Sequence, residues 1–132
     1  MSTKTVAEKL LIKPQSTLWL LPSEQRDLIE PLPEGVQIVD ELGAATTALM
    51  FAANAASVRE MLSTYQDQLT QPSIFWVAYP KGNRTDINRD SLWPILSEYG
   101  LRPITQVAVD NVWSALRFRP LKPGEAPFAG GR

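Results

Sequence analysis

The sequence predicts an α/β sandwich of three layers: a mostly parallel sheet between helices, closed by a C-terminal antiparallel hairpin. Three observations lead there. Short apolar runs alternate with amphipathic stretches along the chain, the pattern of strands alternating with helices. The gap between the first two runs, Leu21 to Val36, suits a parallel crossover, which needs roughly a dozen residues. The last two runs are separated by Asp110-Asn111 alone, a hairpin signal. With 132 residues, 44% of them hydrophobic, the chain suffices for one core.

Taken in order, Thr5-Val-Ala-Glu8 has capping-box spacing and opens a short helix that Lys13-Pro14 stops. "TLWLL", Thr17 to Leu21, is too short for a helix and reads as a strand buried on both faces. Ser23 to Ile29 supplies a short helical crossover to a second strand, "VQIV", Val36 to Val39. "ALMFAA", Ala48 to Ala53, is the third strand. Ser57-Val-Arg-Glu60 predicts a capped helix with Val58, Met61, Leu62, Tyr65 and Leu69 along its inner stripe. "SIFWVAY", Ser73 to Tyr79, is β-branched and aromatic, hence a strand.

Asp90 or Ser91 caps the next helix, which carries Pro94 in its first turn and stops at Gly100. Ile104 to Val109 and Val112 to Arg119 form the hairpin. Residues 1–120 are expected to make the domain. Residues 121–132, rich in Pro and Gly, are expected to be a mobile tail.

Composition narrows the chemistry. Thirteen Lys plus Arg against fourteen Asp plus Glu leave a net charge of −1, which argues against nucleic acid or a membrane surface as partner. The N-terminus lacks a secretory leader and the apolar runs are short, so a cytoplasmic protein is expected. With no Cys and no His, thiolate, imidazole and most zinc chemistry are excluded. Any catalysis falls to Asp, Glu, Lys, Tyr, Ser or Thr, and no pair of carboxylates has a spacing that demands a metal cage.

From about Thr46 to Pro120 the order of a strand and helix, the "SIFWVAYP" strand, a helix ending in Gly and a hairpin is similar to the second half of a class I methyltransferase fold. That resemblance implies a Rossmann-like sheet, with S-adenosylmethionine held at a glycine-rich turn after the first strand and by an acid after the second. Asp40, just after "VQIV", stands where the ribose-binding acid would be. The turn after Leu21 departs from the pattern: Pro22-Ser-Glu-Gln-Arg has no glycine, so the backbone is expected to lose close approach to a nucleoside.

Over most of residues 6 to 119 the chain also resembles a family of small bacterial proteins of unknown function. The resemblance is carried by Lys13-Pro14, Trp76-Val-Ala-Tyr-Pro-Lys81, Asp86 and Asp110-Asn-Val-Trp113-Ser-Ala-Leu-Arg117. It implies a compact Rossmann-like domain and no established activity.

The candidate site is the loop after the "SIFWVAY" strand, with Lys81, Arg84, Asp86 and Asp90. Strand ends and helix N-termini favour anions. The plainer reading is a solvated loop in which the two carboxylates pair with the two cations. Asp110 and Trp113 flank the hairpin turn; they are turn former and strand aromatic, or part of a polar pocket beside Lys81. The expected function is a non-enzymatic accessory or regulatory unit, with a protein partner or a second copy and no cofactor. The alternatives are binding of a small anion, nucleotide or phosphate, through residues 81–90, and a divergent methyltransferase-like enzyme.

Overall fold

The computed structural model describes residues 5–82 and 85–125. The first helix, α1 (Val6–Lys9), starts at the predicted capping box. Thr5 Oγ1 accepts from the Glu8 amide at 3.1 Å, and the Thr5 amide donates to Glu8 Oε1 at 2.7 Å. Six strands follow, β1 (Thr17–Leu21), β2 (Gln37–Ile38), β3 (Thr47–Phe51), β4 (Ile74–Pro80), β5 (Leu101–Ala108) and β6 (Trp113–Pro120). They form one sheet in the order β2-β1-β3-β4-β6-β5. The first four are mutually parallel, and β6 is antiparallel to both its neighbours. The Rossmann-like arrangement expected from the sequence is therefore present.

Strand periodicity sorts the apolar side chains onto two faces. Trp19, Ala48, Met50, Phe75, Val77, Leu116 and Phe118 pack on one face against α2 (Ala55–Thr64) and α3 (Arg89–Ser97), through Val58, Leu62, Leu92, Ile95 and Leu96. Their chain neighbours Leu18, Leu20, Leu49, Phe51, Trp76, Ala78 and Ala115 pack on the other face with Ala7, Leu10 and Ile12 from the N-terminal segment and Ile29. Every residue of β3 is buried, which explains why these strands read as continuous apolar runs.

Several boundaries differ from the sequence expectation. Residues Ser23–Ile29 form a 3-10 helix. The cap of α2 is Asn54, whose Oδ1 accepts from the Ser57 amide at 2.8 Å. An asparagine one turn upstream thus takes the role assigned to Ser57. Likewise Asn88 caps α3, exchanging bonds with Ser91: Ser91 N–H to Asn88 Oδ1 at 3.0 Å, Asn88 N–H to Ser91 Oγ at 2.9 Å. That shift puts Pro94 at the sixth helical position rather than in the first turn, so the Asp90 carbonyl loses its helix donor. Gly100 ends the segment at φ +77°, as a C-terminal stop requires. No described helix is long and apolar enough to cross a membrane.

Beyond β6 the described chain turns back on the hairpin. Glu125 accepts a two-pronged contact from Arg119, Nη1 to Oε1 at 2.9 Å and Nη2 to Oε2 at 2.7 Å. Arg102 Nη1 adds a bond to Oε2 at 3.1 Å, and the Lys122 amide one to Oε1 at 2.9 Å. Of the segment expected to be a mobile tail, residues 126–132 lie outside the described residues. The Arg119 contacts, then the Lys122 amide, hold the Glu125 carboxyl down to about 2 from an ordinary 4.5. A folded-state pKa below the unfolded one stabilises above the unfolded value, and that stabilisation is lost as pH falls through the folded one. The melting-temperature gap between the wild type and Glu125→Gln is therefore expected to be constant above about pH 4.5 and to close towards pH 2. Thermal melts of both proteins across that window check it.

Candidate functional site

From β1 the chain moves outward to β2, then returns to β3 on β1's other side. Connections that leave in opposite directions open a crevice outside the carboxyl ends of the two strands. A cavity of about 470 Å³ lies there, walled by Leu21 at the end of β1 and Pro22 after it, Phe51 and Ala53 at the end of β3, one side of α2, and Trp113. The glycine-free turn after β1 begins at an extended Pro22 and continues as a 3-10 helix, and Pro22 forms a wall of the cavity.

Helix α2 serves two surfaces. Val58 and Leu62 enter the core, whereas Ser57, Glu60, Met61 and Thr64 line the cavity, spaced i, i+3, i+4, i+7 on one helical face. The helix is anchored at its start by Asp86, whose Oδ1 accepts from the Ala55 amide at 2.8 Å. Trp113 is placed by the loop before it. Asp110 Oδ1 accepts from the amides of Val112 at 2.8 Å and Trp113 at 2.7 Å, and the Lys81 amide donates to the Val112 carbonyl at 2.7 Å. The indole then meets Phe51 edge to face, with centroids 5.1 Å apart and planes at 85°.

Tyr65 forms the far wall, itself packed edge to face on Trp19 at 4.8 Å. On its other side is a second hollow of about 560 Å³, lined by Asp40 and Glu41 after β2, the backbone through Ala44, and Gln68 and Gln71. The Gly43 amide there donates to Gln68 Oε1 at 2.9 Å. The acid noted after "VQIV" thus borders a hollow formed by the loop that returns towards the start of β1, where Thr17 Oγ1 donates to the Ala44 carbonyl at 3.1 Å. The charged residues lining the two hollows are Glu60, Asp40 and Glu41, and neither is lined by Lys or Arg among the described residues. No group of three or more described acids could hold a metal ion.

Of the residues singled out from sequence, Trp113 lines the first cavity. Lys81, Asp86, Asp90 and Asp110 line neither hollow. Asp86 and Asp110 instead fix its frame, one at the start of α2 and one at the turn before Trp113. Asp90 is exposed, 3.5 Å from Arg89, and Arg84 lies outside the described residues. Pro22, Phe51, Glu60, Met61 and Tyr65 were not recognised as lining residues, because most are apolar residues that read as core.

No protein-family model matches the sequence, and no curated protein matches it. Solved structures do. A Streptococcus agalactiae protein of the NADB-Rossmann superfamily matches with a TM-score of 0.60 at 8% identity, over 98% of this chain and 72% of the other. A Bacillus subtilis m1A22 tRNA methyltransferase matches with a TM-score of 0.54 at 12% identity, over 92% and 68%. A Streptococcus pneumoniae protein assigned as a tRNA (m1A22) methyltransferase, in complex with S-adenosyl-L-methionine, matches with a TM-score of 0.53 at 11% identity, over 94% and 72%. Proteins of the same fold, one a tRNA methyltransferase and one assigned as such that holds S-adenosyl-L-methionine, overturn the expectation of a non-enzymatic accessory unit. What this chain shares with these proteins is the fold, a Rossmann-like sandwich of the methyltransferase type.

Proposed function

We propose that the chain is a methyltransferase-like enzyme that binds S-adenosylmethionine across the two hollows. The observation that carries this reading is the charge of the crevice at the reversal of strand order and of the hollow beyond Tyr65: Glu60 lines the first, Asp40 and Glu41 the second, and no Lys or Arg lines either among the described residues. A dinucleotide would bring a pyrophosphate against Glu60, Asp40 and Glu41, and burying like charges together is unfavourable. A sulfonium and an ammonium group carry the opposite charge and suit the same walls.

In this reading Asp40 and Glu41 accept from the ribose hydroxyls, and Tyr65 separates nucleoside from amino-acid portion. Gln25, Ser57 and Thr64 offer uncharged donors in the first cavity. Leu21, Pro22, Phe51 and Trp113 exclude water from the reacting end. The cofactor supplies a methyl group activated by its sulfonium. Glu60 is the lining side chain of the first cavity able to take a proton from an acceptor.

A thermal-shift comparison tests the proposal. S-adenosylmethionine and S-adenosylhomocysteine are expected to raise the melting temperature, by the equivalent of about 2.7 kcal/mol at about 100 times the dissociation constant. NAD at the same concentration is expected to leave it unchanged. No shift with either adenosyl compound at millimolar concentration would end the proposal.

A further inference from the structure

We propose that Arg102, Arg117 and Arg119 form a second binding site, for a phosphate-type oxyanion, and that Glu125 of the same chain occupies it as an internal stand-in. The register of the hairpin sets Arg102 directly opposite Arg119. Like charges facing each other across an antiparallel ladder are destabilising. A chain with fourteen acids and net charge −1 had carboxylates for either position, yet both carry a guanidinium. The repulsion is relieved from outside the ladder, by a carboxylate on the turn after β6.

The fork that Arg119 presents to Glu125 is the geometry that fits a phosphate equally well. Glu125 also leaves part of the patch unmet. Arg117 stands two residues before Arg119 on the same face of β6, about 7 Å along the strand. Its Nε is buried with no hydrogen-bond partner among the described residues. Both oxygens of Glu125 are already engaged, Oε1 by Arg119 and the Lys122 amide, Oε2 by Arg119 and Arg102. A phosphate has further oxygens to offer, and a second linked phosphate reaches along the strand.

The patch is open to exchange, since the side chains of Arg102, Arg119 and Glu125 are 31%, 28% and 21% exposed. It is also remote from the crevice. Trp113 and Arg119 stand at opposite ends of β6, about 20 Å apart at strand rise. An oxyanion here would therefore bind independently of the adenosyl site. The turn 122–125 is a covalently attached competitor of millimolar effective concentration, so removal of its carboxylate exposes the site.

The test follows the arginine Nε–Hε resonances of the full chain by NMR, titrated with inorganic pyrophosphate and separately with single-stranded oligothymidylate. Glu125→Gln is expected to bind pyrophosphate about tenfold tighter than the wild type, and Glu125→Gln/Arg119→Gln to lose that gain. Equal affinity in the wild type and Glu125→Gln, or a gain that survives Arg119→Gln, overturns the proposal. Should Glu125→Gln fail to fold, Arg117→Gln in the otherwise unchanged chain decides: a loss of about threefold or more in pyrophosphate affinity supports the site, and unchanged affinity removes it. Response to pyrophosphate alone assigns the site to free phosphate species, and response to both assigns it to a phosphodiester chain. Response to neither overturns it.

Discussion

Trp113→Ala is expected to weaken S-adenosylmethionine binding by about twofold to thirtyfold while the hairpin keeps its form. In the proposed pose Trp113 walls the sulfonium end, and a cation held at an indole face is worth about 0.5–2 kcal/mol, which RT makes about twofold to thirtyfold. Trp113 is a cavity wall held against Phe51. Removing the indole opens the crevice to water and strips Phe51 of its partner. The turn should survive, because Asp110 bonds the backbone amides of residues 112 and 113, which alanine retains. Calorimetric titration of the wild type, Trp113→Phe and Trp113→Ala checks it, with phenylalanine expected in between. Equal affinity in all three would show that the sulfonium end does not lie against this wall.

Trp76→Ala is expected to cost about 3–5 kcal/mol of stability, read from urea unfolding. Trp76 lies on β4 between β3 and β6, is 1% exposed, and packs with α1 on the face opposite α2 and α3. Its Nε1–H donates to the Leu10 carbonyl at 2.9 Å. Leu10 follows α1 as its cap residue, so one side chain both fills the core and ties the first helix to the sheet. Truncation leaves a large void and a carbonyl without its donor. Trp76→Phe separates the two contributions, since it keeps most of the volume and loses the hydrogen bond, at about 1–3 kcal/mol. If alanine cost no more than phenylalanine, the packing account would be wrong.

These two tryptophans also show what the sequence made legible. β1 and β4 stand out because four to seven consecutive apolar residues leave no polar face for an exposed strand or a surface helix. Strand order does not stand out. β6 pairs with β4 across a chain separation that no local pattern records, so only the hairpin with β5 was foreseen. The helix starts slipped by one turn because Ser57 and Ser91 invite the cap assignment, whereas Asn54 and Asn88 make the bonds.

The crevice was less visible still. Charge drew attention to residues 81–90, and the geometry assigns Asp86 to the start of α2. Met61 and Tyr65 pack against the core, as their stripe predicts, and line the cavity as well. A usable signal existed in Ser57, Glu60, Met61 and Thr64, a second helical stripe beside the apolar one. A helix needs only one apolar stripe to pack, so a mixed second stripe marks a surface facing something other than bulk water.

The place of β6 bears on how the protein is made. Because β6 separates β4 from β5, β5 reaches the sheet only through it. Translation delivers β5 first, so that strand must wait, unmatched, for residues 113–120. Meanwhile β4 shows the growing chain a bare hydrogen-bonding border, and a nascent polypeptide stalled before Trp113 would offer that border to any extended segment within reach.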